Sequence, residues 1–140
     1  VPCHCLQLAW FRQSLYMKIS FRPNLRLQGA DYVFSSYTNA GGVPLSFETV
    51  FDKAQDADVW LMKYNQPTDK TYKSLREDYA PYANFKAFKE KNIYHCNTAH
   101  KKYYEDFPFH PDKVLKDLIK IFHPSLLPEY ELKYFSKLAE

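Results

Sequence analysis

Glycine is scarce in this sequence: three residues in 140, two of them adjacent at Gly41-Gly42. A glycine-rich loop that cradles phosphate is excluded, because it needs several positions where the backbone can approach a ligand without a Cβ in the way. Cysteine is as sparse. Cys3, Cys5 and Cys96 are too few for a disulfide framework, and the odd number leaves at least one unpaired within the chain. Cys3-His4-Cys5 supplies half of a zinc site, but no second Cys or His pair at ligand spacing completes four ligands, so no metal site is expected. No apolar run approaches the roughly 18 residues of a transmembrane helix, and no signal segment is evident. Charge of one sign is not concentrated anywhere: 19 basic and 16 acidic residues are scattered, for a net charge of +3. Without a line of Lys and Arg to neutralise phosphates, nucleic acid is not an expected partner. A nucleophile elbow and an HExxH helix are also missing. His95, His100, His110 and His123 are not spaced to share a site on one helix, and paired acids such as Glu105 and Asp106 in a loop are usually solvated. The sequence therefore points away from an enzyme and from a bound cofactor.

What is present is the material of one globular domain. The length suits a single domain, and 46% hydrophobic with 25% charged residues is enough to build a core. Twelve Tyr and eleven Phe give apolar bodies, many with polar tips, which serve both cores and binding faces; for any single ring the core is the default. Beginning at Val1 rather than Met, the chain reads as a fragment or a processed product.

Along the chain, residues 5–21 (CLQLAWFRQSLYMKISF) space Phe11, Leu15 and Ile19 at i, i+4, i+8, as an amphipathic helix would. A polar break at residues 22–29 precedes a short aromatic and β-branched strand, residues 30–35, and the loop SYTNAGGVP. Ser46 is a natural N-cap for a helix ending near Asp56, with Glu48 in its first turn where the helix dipole favours a carboxylate. Residues 59–64 (VWLMKY) form a strand of nearly continuous apolar character, as one covered on both faces would. Thr68 or Asp69 can cap a helix through about Tyr79, Pro81 stops it, and a short helix over residues 83–91 leads to a third strand, residues 93–96. Pro111 opens a last helix whose stripe is Val114, Leu115, Leu118, Ile119 and Phe122, closed by His123-Pro124.

This alternation predicts an α/β fold: a three-layer lobe whose short parallel sheet carries helices on both faces. Ligands of such sheets bind at the carboxyl ends of the strands. The longest loop leaving that edge is NTAHKKYYEDFPFHPDK, residues 97–113. Tyr37, Asn65, Thr98, Tyr103 and Tyr104 all follow strand ends and are the candidate ligand-binding residues. The plain alternative is a surface loop pinned down by its aromatics.

Three stretches resemble one family. PLSFETVFDKAQDADVWLMKY, FKAFKEKNIYHCN and YYEDFPFHPDKVLKDLIKIFHPSLLP are similar to the C-terminal lobe of the substrate-binding proteins of iron-complex and cobalamin ABC importers. The resemblance runs from about Gly29 to Phe135; residues 1–28 do not match it. It implies a Rossmann-like lobe of a two-lobe periplasmic or lipid-anchored receptor, whose N-terminal lobe is missing here. Such a receptor takes an iron chelate (siderophore or haem) or cobalamin into the inter-lobe cleft and delivers it to a permease. It also implies that Glu48 is the carboxylate that docks on the permease subunits. A different class of function is a small interaction module that uses an exposed aromatic face.

Overall fold

The computed structural model describes residues 7–13, 17–18, 26–27, 30–32 and 46–140. Among these, a five-stranded sheet has the order β4-β1-β5-β6-β7, formed by β1 (Gln7–Gln13), β4 (Ala30–Tyr32), β5 (Val59–Tyr64), β6 (Ile93–Asn97) and β7 (Ser136–Lys137). β2 (Met17–Lys18) and β3 (Arg26–Leu27) make a separate two-stranded ribbon. The helices are α1 (Phe47–Ala54), α2 (Tyr72–Asp78), α3 (Lys86–Lys89), α4 (Tyr103–Asp106) and α5 (Pro111–Phe122). Two short 3-10 turns, Ala80–Asn84 and Pro124–Leu126, join them. The fold is α/β, in three layers.

β5 and β6 pair in parallel, with Trp60 opposite Ile93 and Tyr64 opposite Asn97. Their side chains alternate between two cores, as the period of a strand requires. Trp60, Met62, Tyr64 and Ile93 face one way, onto Leu75, Tyr82, Phe85 and Phe88 of the α2–α3 region and onto Phe47 and Phe51 of α1. Leu61 and Cys96 face the other way, onto Tyr103, Val114, Leu118, Ile121, Tyr134 and Phe135. Each large side chain buried in this way contributes roughly 1.5–3 kcal/mol.

The segment expected to be a helix, residues 5–21, is a strand where the structure describes it. β1 lies antiparallel between β4 and β5, with Ala9 opposite Leu61 and Arg12 opposite Asp31. The short run Leu8-Ala9-Trp10-Phe11 suits a central strand as well as a helix, and periodicity alone does not separate the two. Pairing with β5 decides the matter. Because two antiparallel steps separate β4 from β5, β4 runs in the same direction as β5 and β6, as expected, but is not their neighbour. The sheet is consequently mixed, and residues 7–13 belong to it rather than to a separate segment. Residues 33–35 of the expected first strand lie outside the described residues.

The helix signals act as their chemistry dictates. The Ser46 hydroxyl accepts the N–H of Thr49 at 3.3 Å, with Glu48 in the first turn of α1 and Lys53 in the last. α2 is capped by Thr71 rather than Thr68 or Asp69: Thr71 and Ser74 form a reciprocal capping box, and the Asp69 carboxylate is engaged elsewhere. Within residues 83–91 the α-helix is confined to Lys86–Lys89, preceded by the 3-10 turn Ala80–Asn84.

α5 buries a face that differs from the expected stripe. Val114, Asp117, Leu118 and Ile121 are buried, while Leu115, Ile119 and Phe122 are only partly covered. The departure is Asp117, whose side chain is fully enclosed. Its carboxylate accepts the Tyr130 hydroxyl at 2.7 Å and the backbone N–H groups of Lys133 at 3.0 Å, Tyr134 at 2.7 Å and Phe135 at 3.0 Å. A buried carboxylate is tolerated only with such a full set of donors. It folds the C-terminal segment against α5 and delivers Tyr134 and Phe135 to the core, just before β7 pairs with β6.

Asp117→Ala leaves several buried donors without an acceptor, at about 1–3 kcal/mol for each that water cannot reach. We expect a loss of roughly 3 kcal/mol or more in chemical denaturation, with amide protection lost first over residues 130–138. A melting point within a degree or two of the wild type would show that the segment is held by apolar packing alone.

Candidate functional site at the carboxyl edge

Two described loops leave the carboxyl ends of β5 and β6, and one side chain ties them together. Asn97, the last residue of β6, is 3% exposed. Its Oδ1 accepts the N–H of Gln66 at 3.2 Å and of Ala99 at 3.1 Å. Its Nδ2 donates to the Gln66 carbonyl at 2.8 Å and to Asp69 Oδ1 at 2.9 Å. Both amide protons and both lone pairs are in use. The Asp69 carboxyl is held below its usual range, first by the Asn97 hydrogen bond and further by the nearby His95 and His100. His100 Nδ1 lies 3.2 Å from Asp69 Oδ1, so the loops are also joined at the surface.

A second tie runs beneath. The Tyr64 hydroxyl accepts the Lys70 N–H at 2.8 Å and shares a hydrogen bond of 2.7 Å with His95 Nδ1, the Tyr64 and His95 rings being stacked at 5.8 Å. Burial raises the Tyr64 phenol to about 12 and lowers His95 below the usual histidine range, with Asp69 opposing and Lys101 adding to that fall. Thr98 completes the edge, its N–H and hydroxyl both donating to the Tyr64 carbonyl at 2.8 and 3.1 Å.

The five candidate ligand residues are placed unequally. Asn65 is exposed on the β5 loop, and Tyr104 is exposed beside the β6 loop. Thr98 is half-buried, with its hydroxyl committed to the backbone. Tyr37 lies outside the described residues. Tyr103 corrects the expectation: it is 3% exposed and in the core, stacked on Phe107 at 5.9 Å and edge-on to Tyr134 and Phe135. As the first residue of α4 it turns its ring onto the sheet, and burial raises its phenol pKa. Adjacent residues on a helical turn cannot share a face, so of the tyrosine pair only Tyr104 faces outward.

Lys63 is a functional candidate that the sequence reading missed. Near the carboxyl end of β5 its Nζ lies 4.7 Å from the centre of the Tyr103 ring and 5.7 Å from that of Tyr104. Burial pulls its pKa down. The only available signal was a lone lysine inside an apolar strand. Among the described residues no group of His, Cys, Asp or Glu is placed to hold a metal ion, and no helix is long and apolar enough to cross a membrane. Glu48 is exposed and makes no ion pair among the described residues.

The architecture is thus that of a three-layer α/β lobe with an organised carboxyl edge. The chain is similar over 107 residues to two proteins of Methanocaldococcus jannaschii. One is "Uncharacterized lipoprotein MJ0878", 30% identical over 76% of this chain and 24% of that protein. The other is "Uncharacterized lipoprotein MJ0872", 32% identical over 76% of this chain and 26% of that protein. The chain spans about a quarter of the length of these curated relatives. No family model and no solved structure matches it.

The buried Tyr64–His95 pair makes stability pH-dependent. The folded pKa of His95 lies below the ordinary value of about 6.5, so below that pH the unfolded chain binds the extra proton and stability falls as pH drops. Above about pH 7 this contribution is complete. Wild type should therefore lose more melting temperature than His95→Gln between pH 7.5 and 5.5. Equal slopes in thermal denaturation would exclude His95 as the titrating group.

Proposed function

We propose that this chain is the C-terminal lobe of the substrate-binding lipoprotein of an ABC importer, taking an iron chelate or cobalamin into a cleft and presenting it to the permease. The observation that carries the reading is the carboxyl edge. There, Asn97 and Tyr64 make two strand-end loops rigid, while Asn65 and Tyr104 stay open to solvent. Rigid backbone beneath exposed polar and aromatic groups is what a preformed ligand surface requires. The similarity to lipoproteins about four times as long supports a cell-envelope location through a lipid anchor and leaves length for a second lobe. Glu48, exposed on the first turn of α1, suits docking to permease arginines, since an unpaired carboxylate on a rigid helix end is available to a basic partner.

A second reading, an interaction module with an aromatic face, is favoured by Phe109 at 80% and Tyr104 at 54% exposure. The two are separated by titrating the full-length protein with haem, cobalamin and a ferric siderophore. The receptor reading expects saturable binding of one of them at about micromolar affinity or tighter. Binding of none would leave the interaction module as the better account. In a receptor that binds, Glu48→Ala should leave chelate affinity unchanged and weaken permease-coupled uptake. Its effect on stability should be no more than roughly the few tenths to 1 kcal/mol of a first-turn charge. Unchanged uptake with a lowered melting point would make Glu48 a helix-dipole charge only.

A further inference from the structure

We infer that Lys63 and Tyr104 form an anion-binding subsite at the carboxyl edge, selecting a carboxylate-bearing chelate, such as haem or a ferric carboxylate, over neutral chelates. This rests on the receptor reading and narrows its ligand class.

Lys63 takes part in no ion pair among the described residues. Its ammonium lies at the end of a strand otherwise given to the core, half-buried, with the Tyr103 ring at 4.7 Å and the Tyr104 ring at 5.7 Å. Among the described residues no carboxylate lies within ion-pair distance of it. The charged group that acts on it is the Cys96 thiol, while Asp69 is taken by Asn97 and His100 and Asp106 accepts the Tyr134 hydroxyl at 3.0 Å. Ring faces offset only part of the hydration that an ammonium gives up. Burial accordingly lowers the Lys63 pKa from the ordinary lysine value, with Cys96 opposing. An oxyanion arriving at the edge opposes that shift by supplying a counter-charge in a partly desolvated place, where a charge pair is stronger than in water.

The surroundings define the anion further. Tyr103 is locked in the core and holds one side of the ammonium. Tyr104, edge-on to it at 5.3 Å and 54% exposed, presents an aromatic surface to solvent beside the same cation. Lys101 and Lys102 are exposed on the adjoining loop, and Lys101 lies close enough to act on both His95 and Cys96. A cation next to a half-exposed ring fits a ligand with a flat or aromatic body and a peripheral carboxylate. A neutral trihydroxamate chelate or cobalamin would leave the ammonium as it is, without a counter-charge.

The test uses the full-length protein and five probes: haem, haem dimethyl ester, ferric citrate, a neutral ferric trihydroxamate and cobalamin. Haem or ferric citrate should bind best. Lys63→Gln should weaken that binding roughly 10- to 100-fold, the range of one charge-assisted hydrogen bond, and Lys63→Arg should restore most of it. Esterification of haem should cause a loss of similar size in wild type, a result that does not depend on any variant folding. If the trihydroxamate or cobalamin binds as well as the anionic probes, or if Lys63→Gln and esterification change nothing, the subsite is overturned while the receptor reading stands. If no probe binds wild type, the receptor reading fails and the subsite with it.

Discussion

The parallel pairing of β5 with β6 is the contact on which everything else depends. Both strands are covered on two faces, so their alternate side chains are divided between two cores that never touch. This explains why β5 is nearly continuous in apolar character, and why helices must lie on both sides. It also sends the carboxyl ends of both strands out on one edge. The loops that carry polar chemistry have nowhere else to begin.

Buried polar groups then fix what the sheet leaves open. Asn97 does for the edge loops what a ladder does for strands, pairing with backbone on both sides of itself. Asp117 does the same for the C-terminal segment, gathering three consecutive N–H groups from a chain with no helix or long strand to satisfy them. Tyr64 and His95 join the middle of β6 to the start of the path toward α2. In each case a single side chain replaces several backbone hydrogen bonds. Loss of any of the three would loosen a segment rather than the sheet.

This division of labour bears on function. A binding surface on loops is useful only if the loops are stiff before the ligand arrives, because ordering them on binding would subtract from affinity. The carboxyl edge meets that condition through groups that are themselves buried, which leaves Asn65, His100 and Tyr104 outside for contact. The aromatic abundance that marks the sequence divides accordingly. Tyr103, Tyr134 and Phe135 serve the core, and Tyr104 faces solvent next to a cation.

Much of this was legible along the chain. The α1 cap at Ser46, the strands over residues 59–64 and 93–96, the proline entry of α5 and the α/β class follow from local chemistry: a hydroxyl that satisfies a helix N–H, an apolar run of strand length, a ring that presets φ. What only tertiary structure decided are the choices where local chemistry is indifferent. Leu8 to Phe11 suit either helix or strand until β5 offers its edge. Thr68 and Asp69 are the local candidates to cap α2 until Asn97 engages the aspartate and Thr71 closes a capping box with Ser74. Tyr103 and Tyr104 are identical neighbours until one ring meets Leu61 and Leu118. Asp117 reads as a solvated helix residue until the far end of the chain folds back with its N–H groups. Propensity and capping act over a turn or so of chain, whereas the partners that settle these four cases come from distant parts of the sequence, and only the folded sheet brings them within hydrogen-bond or van der Waals range.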